Sequence, residues 1–180
     1  MTINLENTLP ISIAASKSLD RLVVISVDQN FEIYLNYWSS GKVSVKRLSK
    51  ITKDIKLATC LEVSRDSKSI LLAGCDRMDL NKGRPVIVAF SFDGKFEQIS
   101  KVQIQDKNMK SIYRMKRLPK SDAYVVSGER AISLVEFINC QKIQELKQLR
   151  NLHSGEIFDF VLKGKEIFSV SPEDNYVHKF

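Results

Sequence analysis

One pattern occurs four times in the 180 residues of this chain: a strand, a short polar turn, a very apolar strand, a small residue and an acid. The acids that close the four copies lie 48, 53 and 45 residues apart, and they are Asp28, Asp76, Glu129 and Asp174. Degenerate repeats of this length are typical of stacked or radial architectures, because one small sheet cannot bury both of its faces alone. The repeats therefore constrain the fold more than any single motif does.

Apolar runs and period-two alternation predict strands along almost the whole chain. They group into four units, which cover approximately residues 10–50, 55–105, 110–150 and 155–180. An insertion at residues 77–85 carries Asn, Gly and Pro and is predicted to be a loop. Residues 142–149 could also form a short amphipathic helix, but the repeat favours a strand. The fourth unit is one strand short of the others.

Four-stranded units of this length, without helices between them, predict propeller blades. We therefore expect an all-β chain in which residues 1–180 form a single β-propeller-like domain of about four four-stranded blades. A β-sandwich is the alternative, since short strands separated by turns also fit that fold. Propellers usually close with four to eight blades. The chain is thus expected to be a fragment of a longer chain, a small ring, or half of a ring completed by a partner, and residues 2–6 could supply the missing strand.

The spacing around the recurring acids resembles the WD40-repeat family. In that family an Asp in a tight turn is followed by an apolar residue three positions on and a Trp six positions on; the fourth unit has Asp174, Val177 and Phe180 at these offsets. Residues 64–68 are similar to the family's Ser-Pro-Asp-Gly-Lys turn, and His153 lies near the place of its Gly-His dipeptide. The resemblance covers nearly the whole chain and implies a propeller platform. Because only the acid recurs, it also implies that the His, Ser or Thr, Asp and Trp network that locks the family's blades is mostly absent.

The sequence lacks the local motifs of the common catalytic and cofactor sites. Its two histidines, His153 and His178, are not in an HExxH or Cys/His spacing, and the chain has neither a phosphate loop nor a GxSxG nucleophile elbow. The recurring acids occupy the same place in each unit, so we expect them to form turns. These observations predict that the chain is not an enzyme and that it binds no metal or cofactor.

Bulk composition suits a globular protein. Lys and Arg number 28 against 21 Asp and Glu, which gives a net charge of +7 that could steer the chain toward nucleic acid or an acidic partner. The sequence has no run of 18 apolar residues and no signal peptide at its beginning, and Cys60, Cys75 and Cys140 form no CxxC pair. We expect an intracellular protein, cytoplasmic or nuclear, without membrane contact.

The leading functional hypothesis is a scaffold that binds a protein or peptide through its blade loops, as a subunit of a larger complex. The insertion departs from the repeat length, and its candidate contact residues are Arg77, Met78, Lys82 and Arg84. The alternative is a nucleic-acid-associated propeller that uses the basic segments 42–56 and 107–120. The candidate phosphate contacts in these segments are Lys46, Arg47, Arg114 and Arg117. Self-association is a further expectation.

Overall fold

The computed structural model describes most of the chain: residues 5, 7–18, 20–80, 82–106, 109–138, 142–150, 152–164, 166–174 and 176–180, with the side chains of residues 148 and 150 outside the description. Regular structure in these residues is antiparallel strand, apart from one short 3-10 helix at Leu48–Lys50. Among them, no helix is long and apolar enough to cross a membrane.

The strands form four separate antiparallel sheets, each made of consecutive strands in sequence order. We call these sheets blades 1 to 4. Blade 1 contains β1 (Thr8–Ala15), β2 (Arg21–Asp28), β3 (Ile33–Ser39) and β4 (Lys42–Arg47). Blade 2 contains β5 (Leu57–Val63), β6 (Ser69–Cys75), β7 (Pro85–Ser91) and β8 (Gln98–Gln103). Blade 3 contains β9 (Ile112–Arg117), β10 (Ala123–Gly128), β11 (Ala131–Ile138) and β12 (Lys142–Arg150), and blade 4 contains β13 (Asp159–Lys163), β14 (Glu166–Val170) and β15 (Val177–Lys179).

The first strands of the blades lie side by side. β5 contacts both β1 and β9, and β9 also contacts β13, so the first strand of each blade is the inner one and the later strands lie farther out. Three apolar cores fill the spaces between successive blades; one member from each facing blade is Ile25 with Ile70, Leu71 with Val126, and Val125 with Phe160. This radial packing of sheets is that of a propeller.

β6 shows why the second strand of the repeat is so apolar. Every residue of this strand is buried, and successive side chains point to opposite faces of the sheet. Ile70 and Leu72 therefore join the core toward blade 1, whereas Leu71 and Ala73 join the core toward blade 3. A strand packed on both faces needs a continuous apolar run instead of alternation.

Among the described residues, the four sheets do not close into a ring. In this part of the chain, blade 1 and blade 4 each have one face without a neighbouring blade, and large apolar side chains remain exposed there. They include Ile13 and Val45 on blade 1, 63% and 57% exposed, and Val161 and Val177 on blade 4, 56% and 65% exposed. The chain is therefore a partial propeller.

The prediction of an all-β propeller is confirmed, and the β-sandwich alternative is not what forms. Residues 142–149 belong to a strand, as the repeat indicated, because β12 pairs with β11 along its length. In the described residues blade 4 has three strands, in agreement with the short fourth unit. The strand proposed for residues 2–6 lies outside the described residues apart from Leu5.

Candidate interaction surfaces

The alternation of strand direction sorts the loops onto two sides of the molecule. The turns between the second and third strands of each blade lie on the same side as the connections from one blade to the next; we call this side the top face. The turns between first and second strands lie on the opposite bottom face. There, the blades are tied together by Lys17 N–H donating to Ser67 Oγ at 3.3 Å and Arg65 N–H donating to Asp122 Oδ1 at 2.7 Å.

The recurring acids organise the top face, as the sequence indicated. Asp28 Oδ1 accepts hydrogen bonds from the backbone N–H groups of Asn30 and Glu32, at 2.8 and 3.0 Å, and Asp76 Oδ1 accepts from Arg84 N–H at 2.8 Å. Desolvation opposes ionisation of Asp28, but these backbone donors, the Tyr34 hydroxyl and the charge of Arg47 together outweigh it, so the pKa of Asp28 lies below its usual value. The acids therefore shape the turns by accepting backbone hydrogen bonds.

A side-chain network closes the top of blade 4, contrary to the expectation that such a network is mostly absent. His153 Nδ1 lies 2.5 Å from Asp174 Oδ2, and His153 Nε2 lies 2.8 Å from Ser169 Oγ. The Ser154 hydroxyl also donates to Asp174, and this bond leads the contributions that hold the pKa of Asp174 below its usual value. In the neutral tautomer that donates Nδ1–H to the Asp174 carboxylate, Nε2 accepts from the Ser169 hydroxyl. Sequence reasoning missed Ser169, whose only signal is a polar residue within the apolar strand β14.

Two aromatic rings extend this network outward. The rings of His153 and His178 meet edge-on with centroids 4.4 Å apart, and His178 stacks on Phe180 at 6.0 Å. The ligand atoms of His153, Asp174 and His178 lie within 4.8 Å of one another, a spacing that could hold a metal ion. Both nitrogens of His153 are already hydrogen-bonded, so the cluster is better explained as part of the blade's structure.

Glu129 plays the corresponding role between blades 3 and 4. Its carboxylate accepts from Lys110 N–H at 2.6 Å and from the Tyr113 hydroxyl at 2.8 Å, and the same hydroxyl lies 2.9 Å from Glu156 Oε1. Burial, followed by these two carboxylates, raises the pKa of Tyr113, so the phenol stays protonated. Neither Tyr113 nor Glu156 was singled out from the sequence, because neither belongs to a repeated position.

The insertion between β6 and β7 is part of the top face. Arg77, Met78, Lys82 and Arg84 are all exposed, Met78 by 53%. The base of the loop is fixed, because Arg84 N–H is bound by Asp76 and the Arg84 guanidinium lies 3.4 Å from Gln103 Oε1. Lys82 pairs with Asp79 at 3.6 Å on the surface. The loop is thus anchored at its base and presents a mixed basic and apolar tip.

The two basic segments lie at opposite radii of the propeller. Lys46 and Arg47 are on β4, the outer strand of blade 1, whereas Arg114 and Arg117 are on β9, the inner strand of blade 3. Arg47 pairs with Glu32 at 3.4 Å. The structure therefore does not bring these four residues together into one patch.

A cavity of about 470 Å³ opens at the inner strands of blades 2, 3 and 4. Its polar lining consists of Glu62 at the end of β5 with Lys116 and Arg117 at the end of β9. Burial raises the pKa of Glu62, while Arg117 acts in the opposite direction. Lys116 also pairs with Asp159 of β13 at 3.0 Å. An acid from blade 2 and two cations from blade 3 thus line one cavity at the inner strands.

The arrangement of blades is similar to that of several solved propellers. A candidate 6-phosphogluconolactonase from Bacteroides uniformis superposes with a TM-score of 0.70 at 14% identity, over 96% of this chain and 50% of that one. U3-55K gives 0.70 at 10% identity over 98% and 50%, and the Dos1 propeller gives 0.62 at 12% over 89% and 38%. The chain matches no protein-family model and no curated protein sequence. It spans half or less of the length of these structures, and at such identities the likeness shows the fold alone.

The prediction that the chain is not an enzyme is wrong, because the absence of local motifs does not exclude an active site in this fold. It rested on missing local motifs, yet a candidate 6-phosphogluconolactonase has the same arrangement of blades. A propeller can build a site near its axis from several blades, so the participating residues lie far apart in sequence and form no contiguous motif. The grouping of Glu62, Lys116 and Arg117 is an example of such a non-local arrangement.

Proposed function

We propose that this chain is a degenerate WD40-type propeller segment that binds a protein partner through its top face. The observation that carries the proposal is the insertion between β6 and β7, which is anchored at its base and exposes Met78, Arg77 and Lys82 at its tip. Binding residues commonly lie on loops that a rigid scaffold positions. Met and Arg are also enriched at protein interfaces.

The test is a comparison of partners captured by matched variants. Residues 77–84 of the insertion, which precede β7, are replaced by a short Gly-Asn turn. A control variant carries Lys68→Glu and Lys163→Glu on the bottom face. Tagged proteins are used for affinity isolation with quantitative mass spectrometry. We expect the loop replacement to lose proteins that both the wild type and the control retain, while circular dichroism shows an intact β fold. Equal recovery by all three proteins would contradict the proposal.

Nucleic-acid binding through the basic segments 42–56 and 107–120 is the alternative, and it makes a different prediction. Phosphate contacts release counterions, so the affinity would fall steeply with added salt. The measurement is a fluorescence anisotropy titration with single-stranded RNA and duplex DNA at low salt, using the wild type and a variant with Lys46, Arg47, Arg114 and Arg117 changed to Glu. Absence of binding at about 100 μM, the weaker end of the usual range of non-specific affinities, would remove this alternative.

A second candidate function uses the inner cavity. An acid with a raised pKa beside two cations is an arrangement that could bind and act on a small anionic substrate. A phosphorylated sugar lactone is the substrate class to test first, because the similar propeller from Bacteroides uniformis is a candidate 6-phosphogluconolactonase. The candidate function is supported if the wild type hydrolyses 6-phosphogluconolactone, Glu62→Gln loses this activity and Glu97→Gln retains it. Equal rates of hydrolysis with and without the protein would exclude this function.

A further inference from the structure

A cleft at the outer rim, between blades 1 and 2, has an unbalanced charge. Its volume is about 670 Å³, and it is bounded by β4, the short 3-10 helix and the segment that leads from β7 into β8. Its lining contains four cations and one acid, which are Lys46, Arg47, Lys50, Lys95 and Glu97. Four cations against one acid leave an excess of three positive charges. The cavity at the inner strands, in contrast, has one acid for its two cations.

The segments that carry these cations are held in place by the core between blades 1 and 2. Leu48, which lies between Arg47 and Lys50, is 2% exposed, and Phe96, which follows Lys95, is 1% exposed; both belong to this core. The backbone of Phe96 has a φ of +57°, a conformation that a bulky residue seldom adopts, and the burial of its ring offsets the strain. The cations therefore project from backbone that the core positions.

The protein compensates these cations only in part. The Lys46 ammonium group donates to the carbonyl oxygen of Lys95 at 3.2 Å, which is a neutral partner, and Arg47 Nε lies 3.4 Å from Glu32 Oε2. In the described part of the chain, neither Lys50 nor Lys95 has a carboxylate within ion-pair distance of its ammonium group. Like charges that share a cleft repel one another, and a bound anion removes that repulsion.

We propose that this cleft binds a compact anion with several negative charges, of the oligophosphate class. Lysine ammonium groups bind phosphate as point charges, and an arginine guanidinium can donate two parallel hydrogen bonds to it. Three lysines and one arginine, from three segments of the chain, can surround successive phosphate groups, whereas a single carboxylate carries too little charge for four cations. The site is independent of the top-face insertion and of the inner cavity, because it uses none of their residues.

The composition of the cleft favours a compact ligand over a strand of nucleic acid. Proteins that bind single strands combine a basic groove that follows the phosphates with aromatic rings on which the bases stack. The two aromatic residues in the lining do not offer a free ring, because Phe96 is buried and the Arg47 guanidinium lies over the Tyr34 ring at 6.0 Å. The other basic segment does not extend the cleft, since Arg114 and Arg117 lie on the inner strand of blade 3.

The probe is sodium triphosphate, and orthophosphate is the matched ligand of lower charge. Isothermal titration calorimetry at low salt measures the binding of each anion to the 180-residue protein. We expect triphosphate to bind at least about tenfold more tightly than orthophosphate, because it contacts more of the cations at once. Its affinity should fall as salt is added, since salt screens exposed charges. Equal affinities of the two anions, or no binding of triphosphate, would overturn the proposal.

Two double variants with the same change in net charge locate the site. Lys50→Gln with Lys95→Gln removes two cations of the cleft, whereas Lys42→Gln with Lys68→Gln removes two exposed lysines outside its lining. We expect the first pair to weaken triphosphate binding about tenfold or more and the second to change it little. Glu97→Gln removes the acid of the cleft and should tighten binding about twofold or more, a gain that a damaged fold would not produce. Thermal melts check that each variant is folded.

The outcomes distinguish this site from a general effect of charge and from a nucleic-acid surface. Binding that is weakened by Lys50→Gln with Lys95→Gln, kept by Lys42→Gln with Lys68→Gln and tightened by Glu97→Gln supports the proposal. Equal loss in both double variants overturns it, because the binding would then follow net charge alone. Single-stranded RNA is titrated in parallel. If RNA binds more tightly than triphosphate and Lys50→Gln with Lys95→Gln abolishes that binding, the cleft is part of a nucleic-acid surface, which also overturns the proposal.

Discussion

His153 Nδ1 lies 2.5 Å from Asp174 Oδ2, which joins the start of the last blade to the turn that precedes its outer strand. The same imidazole reaches Ser169 Oγ at 2.8 Å, so one side chain ties three segments of blade 4 together. His153 is 5% exposed and Ser169 is fully buried. Buried polar groups in folded proteins nearly always have a hydrogen-bond partner, so losing one of these partners should destabilise the fold.

Replacing His153 with Phe is expected to destabilise the protein. The change keeps an aromatic ring of similar size but leaves the buried Ser169 hydroxyl without its partner, which costs about 1–3 kcal/mol. Urea denaturation followed by circular dichroism measures the free energy of unfolding. The control is His178→Phe, because His178 is partly exposed and contacts its neighbours mainly through its ring. A His153→Phe variant as stable as the control would show that the network does not hold the blade.

The contribution of Asp174 should depend on pH in a defined direction. Hydrogen bonds from Ser154 and His153 place its folded-state pKa below the ordinary value. Its stabilising effect is therefore present above the unfolded-state pKa of about 3.9 and is lost as the pH falls through the folded-state pKa. We expect Asp174→Asn to be less stable than the wild type at pH 7 and the difference to narrow toward pH 3. A difference that is independent of pH in urea denaturation would contradict this account.

The sequence predicts the blades because their signals are local. Strand, turn and acid lie within about twenty residues of one another. The unbroken apolar run of β6 is enough to predict a buried strand. The role of the acids follows for the same reason, since Asp28 and Asp76 bind backbone groups in their own turns. Hydrogen bonds within a single turn can be predicted from the sequence without knowing how the blades pack.

The sites that sequence reasoning missed are assembled from distant residues. His153 is 21 residues from Asp174 and 16 from Ser169, and the surrounding dipeptide order differs from that of the family it resembles. Glu62 and Lys116 line the same cavity only because the inner strands of blades 2 and 3 lie side by side. Their proximity depends on the packing of the blades, which no periodicity in the sequence encodes.

Blades 1 and 2 should be coupled through an aromatic contact. The ring of Tyr37 in β3 meets the ring of Phe92, after β7, edge-on with centroids 5.7 Å apart. Such pairs contribute about 0.5–1.5 kcal/mol beyond the area that they bury. A double-mutant cycle with Tyr37→Leu and Phe92→Leu measures the coupling from free energies of unfolding. Strict additivity of the two changes would show that the rings do not stabilise this interface.

Gly74 should be intolerant of a side chain because β5 passes close to it. A Cβ atom at this position would lie 1.9 Å from the carbonyl oxygen of Leu57 and 3.0 Å from Ala58 Cα, both of which are backbone atoms. We expect Gly74→Ala to destabilise the protein by about 1–3 kcal/mol or more, as overpacking does, because the strand must shift. Gly41→Ala is a useful contrast, since an added Cβ would have no described atom within 4 Å apart from its chain neighbours, and its cost comes from a φ of +78°.

Replacing Glu62 with Gln is expected to stabilise the protein at neutral pH. Burial raises the folded-state pKa of this carboxyl, although Arg117 opposes the shift. A raised pKa means that its favourable contribution is complete below the unfolded-state value of about 4.3 and is lost as the pH rises through the folded-state pKa. Glu62 is therefore unfavourable at pH 7, where it must ionise in a partly desolvated place. The neutral amide avoids this cost and has nearly the same shape.

The measurement is the melting temperature of wild type and Glu62→Gln between pH 4 and pH 8. We expect the variant to melt higher at pH 7, by a few degrees, and the gap to close toward pH 4, where the wild-type carboxyl is protonated. Glu97→Gln is the matched control at an exposed position. If Glu62→Gln instead melts lower at pH 7, attraction to Arg117 outweighs the cost of burial, and Glu62 holds the inner ends of blades 2 and 3 together as half of an ion pair.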